Sequence, residues 1–174
     1  MVMYNVRSAL SAIAIAFLLL AGSLETAGAE SATAKMSAPD GTSLGTVTLT
    51  QTHHGVLLKA QLTNLSPGGH GFHIHAKGSC SPDFKAAGGH YDPTDKAHGM
   101  TNPEGMHAGD MPNIYADSDG RVTAEVLNPN VTLGSGDTTL FDADGSSIII
   151  HAKPDSHTAD PGAGGRDACG VIEK

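Results

Sequence analysis

The chain has 174 residues, 39% of them hydrophobic, with 22 Gly and no Trp. This is enough for one domain and too little for two comfortable ones, in a composition suited to short strands and turns more than to a helical bundle. A net charge of −8 argues against nucleic acid or an anionic membrane as partner.

Residues 1–29 read as a secretory signal peptide, leaving 30–174 as the mature domain. Arg7 supplies the positive start, Ala9 to Ala21 the apolar run, and Ala27-Gly28-Ala29 a small-x-small cleavage site. The apolar run falls short of the roughly 20 residues needed to span a bilayer. Cleavage would remove Arg7 and Glu25, one charge of each sign, so the mature charge stays at −8. No stable membrane association is expected after cleavage.

Onward from there the apolar positions alternate. Ala32 to Ser37 reads as an opening strand, followed by a Pro-Asp-Gly turn at 39–41. Val47 and Leu49, then Val56, Leu58, Ala60 and Leu62, give two strands joined near His53-His54-Gly55. Gly71 to Ala76 is a fourth. Ile114 to Ala116 and Arg121 to Leu127 flank Asp119-Gly120, which predicts a hairpin. Ser147 to Ala152 and Ala168 to Ile172 complete eight strands, and no stretch shows a useful helical period. The pattern is all-β, a single sandwich or barrel.

Between the fourth and fifth strands runs a connection from Lys77 to about Met111, too long for a compact domain unless it carries function. His73, His75, His90, His98 and His107 lie in or beside it, with Asp110 closing the set. Imidazoles with one carboxylate suit zinc, copper or iron, whereas calcium and magnesium prefer all-oxygen shells. His73 and His75, two apart on a strand, leave the same face and can converge on one ion. His70, His53, His54 and His157 are read more plainly, as a structural histidine and loop residues. Met100, Met106 and Met111 read as loop packing. The only two cysteines, Cys80 and Cys169, favour a disulfide in an exported chain. Bridging them would close a loop of about 90 residues, worth roughly 4–5 kcal/mol in the chain-entropy account.

The strings GFHIH, GGHYDP, KAHGM, MHAGDMPN, IIIHAKPD and GGRDACGVI, in this order and spacing, resemble the copper/zinc superoxide dismutase family, in particular its bacterial exported branch. The resemblance implies an eight-stranded flattened Greek-key β-barrel, an immunoglobulin-like sandwich, with two long active-site loops. It implies one copper held by His73, His75, His90 and His151. It implies one zinc held by His90, His98, His107 and Asp110, so that His90 bridges the metals. Asp155 would link one ligand of each metal, and Arg166 would attract and orient the substrate anion beside copper. The implied activity is dismutation of superoxide to dioxygen and hydrogen peroxide by alternate reduction and oxidation of copper, with His90 moving a proton. The implied place is the periplasm or the extracellular space, as a monomer or a homodimer.

Lys77, Lys85 and Lys153 are candidates for a positive rim, although the plainer reading of each is a solvated lysine. A non-enzymatic exported copper/zinc buffer or carrier could use the same ligands, but would need neither Arg166 nor a bridging His90. A zinc hydrolase would need an open zinc and a nearby Glu base, and no H-E-x-x-H occurs.

Overall fold

Buried and exposed side chains alternate along most strands of the computed structural model, which describes Met1 and residues 29–174. The remainder of the expected signal segment lies outside the described residues. Strand β1 (Ser31–Ser37) turns Ala32, Ala34 and Met36 inward. β2 (Ser43–Thr52) adds Leu44, Val47 and Leu49, and β3 (Gly55–Leu62) adds Val56, Leu58, Ala60 and Leu62. β4 (Gly68–His70) and β5 (Phe72–His75) follow, then β6 (Ile114–Ala116), β7 (Val122–Asn128), β8 (Ser147–His151) and β9 (Arg166–Glu173).

Seven strands form one antiparallel sheet in the order β5-β8-β9-β1-β2-β3-β7, and β4 pairs with β6 in a second, two-stranded sheet. Side chains from every large strand meet in a single apolar cluster, so the sheet wraps around one core. The all-β architecture expected from the sequence is present. The neighbours β3–β7 and β5–β8 are far apart in the chain, as Greek-key connections require.

Two expectations change. Nine strands are described where eight were counted, because the three residues of β4 form a separate strand too short to show a period. The expected hairpin around Asp119-Gly120 is a turn without a hairpin. Asp117 N–H donates to Arg121 O and Gly120 N–H to Asp117 O, but β6 then pairs with β4 and β7 with β3. The turn signal was local and correct, while the pairing was decided by where each strand could bury its apolar face.

β8 is buried along its whole length because both its faces are covered. Ile148 and Ile150 join the main core, while Ile149 points the other way, into a small cluster with Ala87 and Cys169 flanked by Cys80 and Phe84. Burying an isoleucine fully is worth roughly 1.5–3 kcal/mol, so this second cluster fastens the long loop to the outside of the sheet. The Cys80–Cys169 disulfide is formed, as expected, with Cα atoms 5.9 Å apart. A 3-10 turn over Phe84–Ala87, capped by the Asp83 carboxylate, supplies the rest of the contact.

Candidate metal centre

Register on the sheet decides which face carries the histidines. In β5–β8, Phe72 pairs with Ile150 and Ile74 with Ile148, all four in the core. His73 pairs with Ile149 and His75 with Ser147, so both histidines stand on the outer face, beneath the long loop. His151 ends β8. A bulge between Ile150 and His151 skips Asp167 and pairs His151 with Arg166. Without that shift, alternation from the core residue Ala168 would send Arg166 inward.

The long loop binds the free edge of β5. Tyr91 N–H donates to Ile74 O (2.8 Å), Gly109 N–H to Tyr91 O (2.7 Å), and Ile74 N–H to Gly109 O (3.0 Å). These bonds set His90 opposite His75 and Asp110 opposite His73. A Cβ at Gly109 would lie 2.3 Å from Ile74 O, so only glycine permits the approach.

Two groups result, and they share one residue. The candidate ligand atoms of His73, His75, His90 and His151 lie within 4.8 Å of one another, and so do those of His90, His98, His107 and Asp110. The His90 ring sits between them, with centroids 4.1 Å from His73, 4.9 Å from His75, 6.2 Å from His151, 5.0 Å from His98 and 5.4 Å from His107.

The donor chemistry fits metal ions. His73 donates Nε2–H to Asp155 Oδ2 (2.6 Å) and His75 donates Nδ1–H to Gly88 O (3.0 Å). That leaves His73 Nδ1 and His75 Nε2 buried without a partner, together with both ring nitrogens of His151. One unpartnered nitrogen from each of the three rings can turn toward a common point, and buried polar atoms so placed suit a cation. Burial lowers the pKa of all three rings, His75 to about 2 and His151 to about 4, so they are neutral with lone pairs available to a metal.

In the other group, Nδ1 of His90, His98 and His107 all face the same oxygen, Asp110 Oδ1, at 2.7, 3.0 and 3.3 Å. One carboxylate oxygen cannot serve three donors well. The Asp110 Oδ2 oxygen is already taken, by the N–H groups of Gly99 (3.0 Å) and His107 (3.1 Å). Burial pushes the Asp110 pKa up, but the hydrogen bonds from His90 and Gly99 outweigh it and hold the carboxyl well below the usual range. A cation amid three Nδ1 lone pairs and this oxygen satisfies all four, in the closed His3Asp set that suits a structural zinc.

Asp155 joins the groups. Oδ2 accepts from His73, and Oδ1 faces His98 Nε2 at 3.2 Å and accepts His157 N–H at 2.6 Å. Burial raises its pKa, yet the bonds from His73 and the His157 N–H prevail and keep it ionised. An ionised Asp155 requires His98 to present Nε2–H to it, which leaves the Nδ1 lone pair for Asp110's side.

Arg166 donates Nη1–H to Phe84 O (2.5 Å) and Nη2–H to Gly88 O (2.6 Å), so its cation is held by the disulfide-anchored loop. A cavity of about 560 Å³ opens beside it, with Asp83, Phe84, Lys85, Gly164 and Gly165 in its lining. Lys77 and Lys153 lie against Gly88 and Gly164 in the two loops. His70 is buried, with ring nitrogens on His151 O (2.7 Å) and Ser66 O (2.8 Å), as a structural histidine would be. His53 and His54 are exposed in their turn.

Sequence reasoning did not assign Asn113, which bonds both backbone groups of Asp155. Its only signal was its place in the string MHAGDMPN.

The family model described as copper/zinc superoxide dismutase (SODC) matches residues 43–172. A superoxide dismutase [Cu-Zn] of Caulobacter vibrioides is 51% identical over 149 residues, which cover 82% of this chain and 86% of that protein. Among solved structures, a Cu/Zn superoxide dismutase from Brucella abortus is 36% identical with a TM-score of 0.68, covering 83% of this chain and all of that one. A superoxide dismutase-like protein from Bacillus subtilis is 35% identical with a TM-score of 0.76, covering 80% and 96%.

Proposed function

The chain belongs to the copper/zinc superoxide dismutase family, and from that premise we propose that it dismutes superoxide through a copper held by His73, His75, His90 and His151. In the same reading, zinc is held by His90, His98, His107 and Asp110. The observation that carries this reading is the sharing of His90 between two four-ligand groups. A carrier or buffer would need two sites but no common ligand.

Copper, when bound, supplies the reversible one-electron exchange with superoxide, and zinc fixes its own four ligands. The rest falls to the chain. His73, His75 and His151 present neutral imidazoles from a rigid strand pair, so the ligand shape changes little as charge changes. His90 keeps Nδ1 on the zinc side and can hold a proton at Nε2, beside the place where peroxide must be protonated. Arg166, fixed by two carbonyls, offers its remaining N–H groups to a small anion beside His151, its register partner. Asp83 and Lys85 line the cavity with Arg166 and offset each other in charge, while a Debye length of about 8 Å screens the more distant acids at physiological salt.

The apolar leader and the formed disulfide support export to the periplasm, with residues 30–174 as the working domain. Among the described residues no helix is long and apolar enough to cross a membrane.

Superoxide decay after pulse radiolysis, with copper and zinc counted per chain, tests the reading against a His151→Ala variant. Fast decay proportional to copper, lost in the variant while zinc is retained, is the expected result. Full copper occupancy with no decay would establish the carrier instead.

A further inference from the structure

Asn113 belongs to neither ligand group, yet its amide spans the gap between the two loops that build them. Its Nδ2–H donates to Asp155 O (2.9 Å) and its Oδ1 accepts from Asp155 N–H (2.7 Å). One side chain therefore satisfies both backbone polar groups of a buried residue, and only a planar amide offers a donor and an acceptor so spaced. Asp155 in turn holds His73 through Oδ2 and faces His98 Nε2 with both oxygens, Oδ2 at 3.0 Å and Oδ1 at 3.2 Å.

We propose that Asn113 is a positioning residue that sets the orientation of Asp155, and through it the rings of His73 and His98 together. The proposal rests on the reading that the two groups hold metals.

The surroundings agree with a turn clamped from one side. Thr101 donates both its N–H (2.9 Å) and its hydroxyl (2.7 Å) to His157 O. Gly99, at φ +110°, lets the same carbonyl come so close that a Cβ there would lie 2.7 Å from it. His157 holds φ +60°, a left-handed conformation that a non-glycine residue keeps when its neighbours dictate it. Thus residues 155–158 are laid onto the zinc-side loop at Gly99, Thr101 and Asn113, and Asn113 is the only one of the three that grips Asp155 itself. Without it, the buried Asp155 N–H and C=O lose their partners, and the carboxylate is free to rotate away from one histidine or the other. Second-layer partners of this kind typically govern about 10–100-fold in metal affinity.

The test compares Asn113→Ala, Asn113→Asp and Thr101→Val with the unaltered protein. Zinc affinity is measured by chelator competition, the copper(II) site by its electron paramagnetic resonance spectrum, and the metal-free fold by thermal melting. Asn113→Ala should weaken zinc by about 10–100-fold and alter the copper spectrum, although neither metal touches residue 113. Asn113→Asp keeps the acceptor but sets a carboxylate oxygen against the Asp155 carbonyl, so it should weaken zinc at least as much as Asn113→Ala, and it carries the test if the alanine variant does not fold. Thr101→Val loosens the same turn without touching Asp155, and should lower melting with zinc affinity and copper spectrum unchanged. If Asn113→Ala or Asn113→Asp lowers only the melting of the metal-free protein, with zinc affinity and copper spectrum as in the unaltered protein, the proposal is overturned. If the unaltered protein itself fails to take up both metals, the fault lies in the metal assignment and shows before any variant is made.

Discussion

The two halves of the candidate metal centre are built by different means. Three of the four residues proposed to hold copper stand on paired strands, where register and alternation fix the direction of each side chain before any ion arrives. The residues proposed to hold zinc come from a loop between Lys77 and Met111 whose only regular element is one 3-10 turn. That loop is shaped by its bonds to the β5 edge, by the disulfide and by the convergence of three imidazoles on one carboxylate oxygen. The lesson is one of division. A redox ion whose charge changes is best held by ligands that do not move, whereas an ion of fixed charge can itself order the segment that binds it. His90 and Asp155 are the two residues that make the halves one site.

The contrast can be broken at its anchor. Cys80→Ser removes a link between residues 89 apart in sequence, worth roughly 4–5 kcal/mol in the chain-entropy account. At about 2–4 °C per kcal/mol for a domain of this size, melting should fall by roughly 10–15 °C. Hydrogen exchange should rise first in residues 77–111, with β1, β2 and β3 still protected. Equal loss of protection in sheet and loop would erase the distinction between the halves. A smaller effect is expected at the join. Asp155→Asn keeps the shape but removes the charge that holds His73 and His98, and should weaken both metals by about 10–100-fold in competition assays. Loss of one metal alone would show that Asp155 serves a single half. The smallest effect concerns the substrate. Arg166→Glu should slow superoxide decay by about 10-fold or more at low salt, an effect that shrinks as salt rises, with metal content within about twofold of normal. A fall in copper content equal to the fall in rate would make Arg166 a structural residue.

The copper half was the more legible in the sequence. H-x-H on an alternating stretch announces two side chains on one face of a sheet, while His151 was reached through the likeness to a family. The loop ligands were legible through their spacing and their likeness to a family, because no period governs a loop. What could not be read was long-range. The bulge that turns Arg166 toward His151 depends on strand register, which alternation alone does not reveal. The separation of β6 from β7 depends on which partner strand each meets, and a strong turn signal concealed it. Asn113 could not be singled out because its role lies in two backbone groups 42 residues away. The apolar run Ile148-Ile149-Ile150 read as a strand, but not as one buried on both faces, since the covering cluster comes from Phe84, Ala87 and the disulfide.

The most direct measurement is anomalous X-ray scattering at the copper and zinc absorption edges from crystals of the metal-loaded protein. Two separate peaks are expected on either side of the His90 ring, copper among His73, His75 and His151, and zinc among His98, His107 and Asp110. A single shared position, or copper in the loop-built group with the strand-built group empty, would contradict the account.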